Sequence, residues 1–433
     1  MNSKVVKNAS WIVGCKIIQS ILSFIVTMLT ARFLGPSNYG VVSYAASIVA
    51  FITPVVQLGL ANIQVQELVN NKQIDGKIVG TTLGLSAFSA AFCYIGIVAF
   101  SMIASASETE TIIVCALYGF VLFFQGAELL QYWFQANYLS KHASIVSLIA
   151  FFLVTIYRVV LLILQAEVYL FAVVNALDFF LILVALLFVY KRLGGGKLSF
   201  SLSLGLKMLA KSRYYIIANM MVVVFSQTDR IMLKLMVNDA ATGVYSAAMS
   251  CAGLANFVFI AIIDSFRPII FEDYKVSREK FEQRVAQLYT VIVYLSLAEC
   301  IVVSVLSEYI VKVVYGSAYL DAILPLRVGV WYSTFSFIGN VRNIWILAEE
   351  KQRWIWIINS FGAVFNIAAN IVLIPISGAV GAAVATLVTQ VFTNVVVSYL
   401  IPDIRPNTRL MLRGITPKKL FLLIKNIKNT KKR

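Results

Sequence analysis

Charge is what this sequence is short of. Only 13% of its residues are charged, about half the share of a soluble domain, which is usually about 25%. No glycine loop of the Walker type and no nucleophile elbow occurs, so nothing points to phosphate-loop or serine-hydrolase chemistry. The five cysteines (Cys15, Cys93, Cys115, Cys251, Cys300) fall singly within apolar runs with no CxxC spacing, which argues against a metal site or a disulfide framework. The lone histidine, His142, stands beside Lys141 in a polar gap and reads as a solvated loop residue. Neither a metal nor a cofactor is expected, and no catalytic residue is assigned.

What is abundant is oil. Of the 433 residues 60% are hydrophobic, and the mean hydropathy is +0.86. Apolar runs of about 20 residues, the length that crosses a bilayer, recur from end to end. Their bounds give spans at 11–34, 39–60, 78–103, 112–135, 145–165, 169–190, 214–235, 243–264, 285–306, 324–347, 354–374 and 379–401. The first run is too long for the core of a signal peptide and lacks a small-residue cleavage site, so it reads as a retained span. The expected fold is an all-α membrane protein of about twelve transmembrane helices in two six-helix bundles.

Cations set the orientation, because Lys and Arg are retained on the cytoplasmic side. With the N-terminus inside, 28 of the 36 Lys and Arg fall in inner segments, two outside (Lys234 and Lys312) and six within spans. The net charge of +16 is therefore dispersed over inner loops and a basic tail, and does not indicate nucleic-acid binding. Ten cations follow Asp403; from Thr416-Pro417 onward, Leu420, Leu423, Ile424 and Ile427 share one helical face opposite Lys418, Lys425 and Lys428. That pattern suits either an amphipathic helix on the anionic inner leaflet or a disordered tail that sets topology.

Gly40, Ser43, Ala45 and Ser47 recur 203 residues later as Gly243, Ser246, Ala248 and Ser250. The repeat suggests six-span halves at 1–195 and 214–402, joined by a cytoplasmic linker at 196–213, followed by the basic tail 403–433, with a central cavity between the halves.

Polar groups inside hydrocarbon are costly and should face protein or water. Lys16, Gln19, Ser20, Ser23, Thr27 and Thr30 form one stripe on span 1; Gln125, Glu128, Tyr132 and Gln135 gather on span 4; Asn219, Ser226 and Arg230 align on span 7; Asn359, Asn366 and Asn370 align on span 11. Such stripes line cavities or serve as helix-packing glue. Lys16, Arg32, Arg158, Arg230 and Arg342 are candidates for a cationic substrate-binding cavity, since guanidinium forks bind phosphate oxygens bidentately. Glu128, Asp178 and Glu299 are candidates for ion coupling, because a carboxyl in a span can take or release a proton according to what it faces. The competing reading is that these groups form internal ion pairs or reach to the headgroups.

Several motifs now resemble one family. They are Ala31-Arg32-Phe33-Leu34-Gly35-Pro36-Ser37-Asn38-Tyr39-Gly40 at the first turn, Leu58-Gly59-Leu60 followed by Glu67-Leu68, and Tyr132-Trp133-Phe134-Gln135-Ala136. Further on come Gln227-Thr228-Asp229-Arg230, Gly243-Val244-Tyr245-Ser246-Ala247-Ala248 and the run from Gly378 to Thr386. Together they resemble the Wzx-type polysaccharide and O-antigen flippases of the multidrug/oligosaccharidyl-lipid/polysaccharide exporter superfamily over nearly the whole chain. The resemblance implies a V-shaped pair of bundles that passes undecaprenyl-diphosphate-linked oligosaccharides across a bacterial inner membrane, with both termini cytoplasmic and energy drawn from an ion gradient. It implies membrane lipids, a polysaccharide polymerase and a chain-length regulator as partners, in O-antigen or capsule assembly.

Three rivals stand beside that reading. A drug/cation antiporter of the same superfamily should have an acid-lined cavity, whereas cations hold a slight majority here. A flippase for the peptidoglycan precursor should have two further spans. A membrane-embedded sugar polymerase or ligase should carry its chemistry on a sizeable external loop, and the external gaps, about 104–111 and 307–323, are short.

Overall fold

The computed structural model describes residues 3–416, and within them not the side chains of 3–13, 15–17 and 218. The side chain of Lys16 and the expected amphipathic helix beyond Thr416 lie outside the described residues. Among the described residues the protein is helical with no strand, and it forms two compact units, Met1–Leu235 and Met236–Arg433.

The first unit begins with α1 (Ser3–Val56), two rods divided at Gly35, whose φ of 72° is open to glycine without strain. Pro36 then starts the second rod, where its missing N–H costs nothing. After α2 (Ala61–Asn70) come α3 (Asp75–Ala104), then α4 (Thr109–Gly119), α5 (Val121–Phe124) and α6 (Gly126–Ala136) as one interrupted passage. The unit closes with α7 (Ser140–Ile163), α8 (Val168–Arg192) and α9 (Leu202–Met236).

Helix α9 is strapped to the rest of this unit. The segment before it runs along the glycine ladder Gly76, Gly80 and Gly84 of α3; a Cβ at Gly80 would lie 2.6 Å from the backbone of Ser199, so only glycine admits the approach. Asp75 receives the Trp133 indole N–H at 2.8 Å, and the Tyr190 hydroxyl donates to Gly196 O at 2.7 Å. Gly59, at φ 59°, sits against the α9 backbone at Ser212 and Ile216, and Lys211 pairs with Glu67 at 2.7 Å. The Leu-Gly-Leu and Glu-Leu motifs thus hold α9 in its N-terminal half.

The second unit contains α10 (Asp239–Ala252), capped by the Asn238 side chain, and α11 (Asn256–Val276), bent from it by 44°. Next are α12 (Arg278–Val314), α13 (Ile323–Gly329) and α14 (Trp331–Ala348). Then α15 (Arg353–Val391) breaks at Gly378 (φ 52°) and passes through a π-helical segment, Phe392–Val397, into α16 (Ser398–Leu400). The Tyr245 hydroxyl lies 3.1 Å from Thr386 Oγ1, joining two of the quoted motifs. Last is α17 (Arg405–Gly414), in the segment read as basic tail: it packs on α12, where Tyr289 bonds Asn407 at 3.2 Å and the Thr290 hydroxyl donates to Gly414 O at 2.8 Å.

Among the described residues eight helices are long and apolar enough to cross a membrane, nine if the bent pair counts as one span. Two of the eight are broken at Gly35 and Gly378, and α13 with α14 covers the expected tenth span, so the architecture is consistent with twelve passages.

Candidate functional site: a polar cavity in the first unit

A cavity of about 350 Å³ opens among α1, α4, α7 and α8. Ser23, Thr27 and Thr30, three members of the span 1 stripe, line it from the first rod of α1. They recur at steps of four and three residues, which places them on one helical face. Tyr39 and Ser43 face it from the second rod, and Tyr118 from α4. Helices α7 and α8 each add a polar pair at i, i+3: Thr155 with Arg158, and Asn175 with Asp178. Phe151, Val154 and Phe171 complete an apolar wall.

Hydrogen bonds order this lining. Arg158 Nη2 donates to Asn175 Oδ1 at 3.2 Å, and Asn175 Nδ2 in turn donates to the Tyr118 hydroxyl. Thr30 satisfies itself by donating to Val26 O at 2.8 Å. Asp178 and Arg158 attract one another across the site, yet Asp178 Oδ1 is shut from solvent and accepts no hydrogen bond. The cavity thus offers one cation, one carboxylate, hydroxyls and aromatic faces within one unit.

Of the arginine and carboxylate candidates from the sequence, Arg158 and Asp178 meet here, whereas Arg32, Arg230, Arg342, Glu128 and Glu299 lie elsewhere. Arg32 is exposed, near the break at Gly35. Arg230 is half-buried on α9 and donates to Gln227 Oε1 at 3.0 Å. Arg342 is 2% exposed in the core of the second unit, where it donates to Asn343 Oδ1, Asn394 Oδ1, Ser398 Oγ and Thr393 O. Glu128 on α6 accepts from Gln57 Nε2, and Glu299 on α12 keeps a buried Oε2 without a hydrogen-bond partner. Asn366 and Asn370, read as one stripe, are wholly buried and bonded to each other at 3.1 Å. Asn175, Tyr118 and Tyr39 were not anticipated; the signal for Asn175 was its place one turn before Asp178.

Residues 5–274 match the family described as polysaccharide biosynthesis protein. The chain belongs to that family. Among curated proteins no sequence matches this family member. Its fold is shared with solved transporters. A multidrug resistance MATE transporter of the MOP superfamily, in an inward-facing conformation, is 11% identical with a TM-score of 0.67 and covers 92% of this chain and 95% of its own. The lipid II flippase MurJ, in an inward closed conformation, is 15% identical with a TM-score of 0.62, covering 93% and 90%. A Vibrio cholerae MATE transporter is 11% identical with a TM-score of 0.57, covering 95% and 99%. The polysaccharide family member is accordingly a multi-pass membrane protein with a transporter fold of the MOP type.

Proposed function

We propose that this protein is a flippase that moves undecaprenyl-diphosphate-linked oligosaccharide units across the bacterial inner membrane by alternating access. The observation that carries the reading is a polar, arginine-bearing cavity inside a membrane-spanning unit of a polysaccharide biosynthesis family member. An unassisted diphosphate would have to shed its hydration in hydrocarbon, at a cost of order tens of kcal/mol. Polar surface within the bundle removes most of that barrier while the lipid tail stays in the bilayer. In this reading the chain has six-span halves with a cytoplasmic linker, both termini are cytoplasmic, and Lys16, Arg32, Arg158, Arg230 and Arg342 include the groups that meet the diphosphate or the sugars it carries. A polymerase and a chain-length regulator act on the exported unit.

Coupling to a proton or sodium gradient is part of the proposal, with Glu128, Asp178 and Glu299 as its carriers. Replacement of each by its amide should, at one of them, abolish the dependence of export on pH or sodium; unchanged dependence in all three would remove the coupling role. The main test is transport itself. Proteoliposomes holding the full chain and a fluorescent lipid-diphosphate-oligosaccharide should expose the sugar to an added quencher faster than protein-free vesicles do, and equal rates would refute the flippase reading.

The carboxyl group of Asp178 in the cavity lining, with an oxygen that accepts no hydrogen bond, favours a second reading, export of cationic apolar compounds. Drug sensitivity of a deletion strain with intact surface glycan would favour it over the first.

A further inference from the structure

The cavity of the first unit contains two features that pull apart the parts of a lipid-linked glycan. Asp178 lines the cavity, and because its Oδ1 accepts no hydrogen bond the carboxyl group gains from any donor that reaches it from the cavity. The oxygens of an ionised diphosphate only accept, so a diphosphate cannot supply that donor and would bring negative charge towards the carboxylate. A sugar hydroxyl both donates and accepts. Arg158, whose positive charge would otherwise attract an anion, shares the lining with the carboxyl group of Asp178 and has one guanidinium nitrogen engaged by Asn175. An anion entering the cavity would therefore meet a carboxyl group as well as the arginine. Its walls combine planar polar groups with the rings of Tyr118 and Phe171, which suits a ring that has apolar C–H faces and a polar rim. At about 350 Å³ it lies at the low end of small-molecule sites and cannot take the lipid.

We propose that this cavity is a subsite for an uncharged sugar ring of the glycan, which donates a hydroxyl to Asp178 and accepts from Arg158, and that the diphosphate is held elsewhere. The inference rests on the flippase reading and narrows it: this site reads the glycan, not the phosphate that all such lipids share. A cavity built to bond a hydroxyl rejects a ring that lacks it, because the buried partner is then left unpaired. Sugar preference of the transporter accordingly resides at Asp178, Arg158 and Asn175.

The test uses the full-length chain in lipid nanodiscs, with Thr155→Cys on the cavity wall and its alkylation followed by mass spectrometry. The probes are a panel of free neutral monosaccharides, including N-acetylated and 6-deoxy rings, and inorganic pyrophosphate. At least one sugar should slow labelling several-fold, with pyrophosphate without effect. Asp178→Leu should abolish that protection, and Asp178→Asn, which keeps an acceptor of similar shape, should retain part of it. Circular dichroism and monodispersity identify any variant that has failed to fold, and Arg158→Gln, which should weaken protection, serves as the second variant. Protection by pyrophosphate equal to that by any sugar, protection by neither, or sugar protection that survives both Asp178→Leu and Arg158→Gln would overturn the subsite. A failure of the flippase reading looks different: vesicles without lipid-glycan transport, with sugar protection intact.

Discussion

Lys234, buried in the last turn of α9, meets the carboxylate of Glu108, which stands half-exposed in the turn between α3 and α4 and also accepts from Thr111 at 2.8 Å. The two partners differ in what they lose when separated. Glu108 can rehydrate, whereas Lys234 cannot without moving.

Removal of the carboxylate should accordingly cost more than removal of the amine. Glu108→Ala is expected to destabilise the first unit by about 1 kcal/mol, since it takes an ionic partner from a buried ammonium while the carboxylate side of the pair is half in solvent. Lys234→Met should change stability by less than about 0.5 kcal/mol. Thermal unfolding in detergent reads both, and equal losses would contradict the asymmetry. Lys234 also holds the Glu108 carboxyl below its ordinary value of 4.5. The folded value being depressed, the stabilisation is present in full above pH about 4.5 and is lost as pH falls through the folded value. The stability gap between wild type and Glu108→Gln should therefore be widest near neutrality and close in acid.

Glycine at position 80 should be irreplaceable for a reason local to the strap. Gly80→Leu places its side chain into the backbone of Ser199, and the amount of folded protein should fall severalfold. Gly96 sits on the same helix with open space where a Cβ would be, so Gly96→Leu should be tolerated. Fluorescence-detected size exclusion separates the two outcomes.

Topology is open to direct labelling. Cysteines introduced at Glu108 and Ser317 should react with impermeant reagents from outside, and those at Lys197 and Lys275, together with a C-terminal tag, only from inside. An external C-terminus would contradict an even number of spans.

Arg230 and Arg342 should fail in different ways. Arg342 is surrounded by oxygen acceptors of its own unit, and Arg342→Ala strands them, at a cost of order 2–4 kcal/mol. Folded protein and export should drop together. Arg230→Ala should reduce export with little loss of folded protein, and Arg230→Lys should keep part of it, retaining the charge without the bidentate fork. Loss of folded protein in Arg230→Ala would make that arginine structural.

Hydropathy read the spans well because bilayer thickness imposes a length on each apolar run, and the break at Gly35 was legible as a Gly-Pro turn. The site was less legible. Ser23, Thr27 and Thr30 were visible as a stripe, but Asn175 and Tyr118 are single polar groups in apolar runs, and only packing reveals that they share a cavity with Arg158. Periodicity also gave Asn366 and Asn370 a common face without telling whether water or another side chain meets it; here each meets the other. The glycine ladder of α3 was missed because a lone glycine every fourth residue carries no hydropathy signal, and the partner it accommodates is a loop.

The π-helical turn at Phe392–Val397 has a consequence for how relatives are compared. Such a turn holds one residue more than the α-helical turn it replaces, so each position after it is rotated by about 100° from where unbroken α-helical counting would put it. Ser398 consequently donates to Thr393 O, five residues back, while it accepts from Arg342. A relative whose last span is α-helical throughout would need a one-residue gap in the middle of a membrane helix to align correctly. Closing that gap would assign the wrong face to every position from Ser398 to the end of the span.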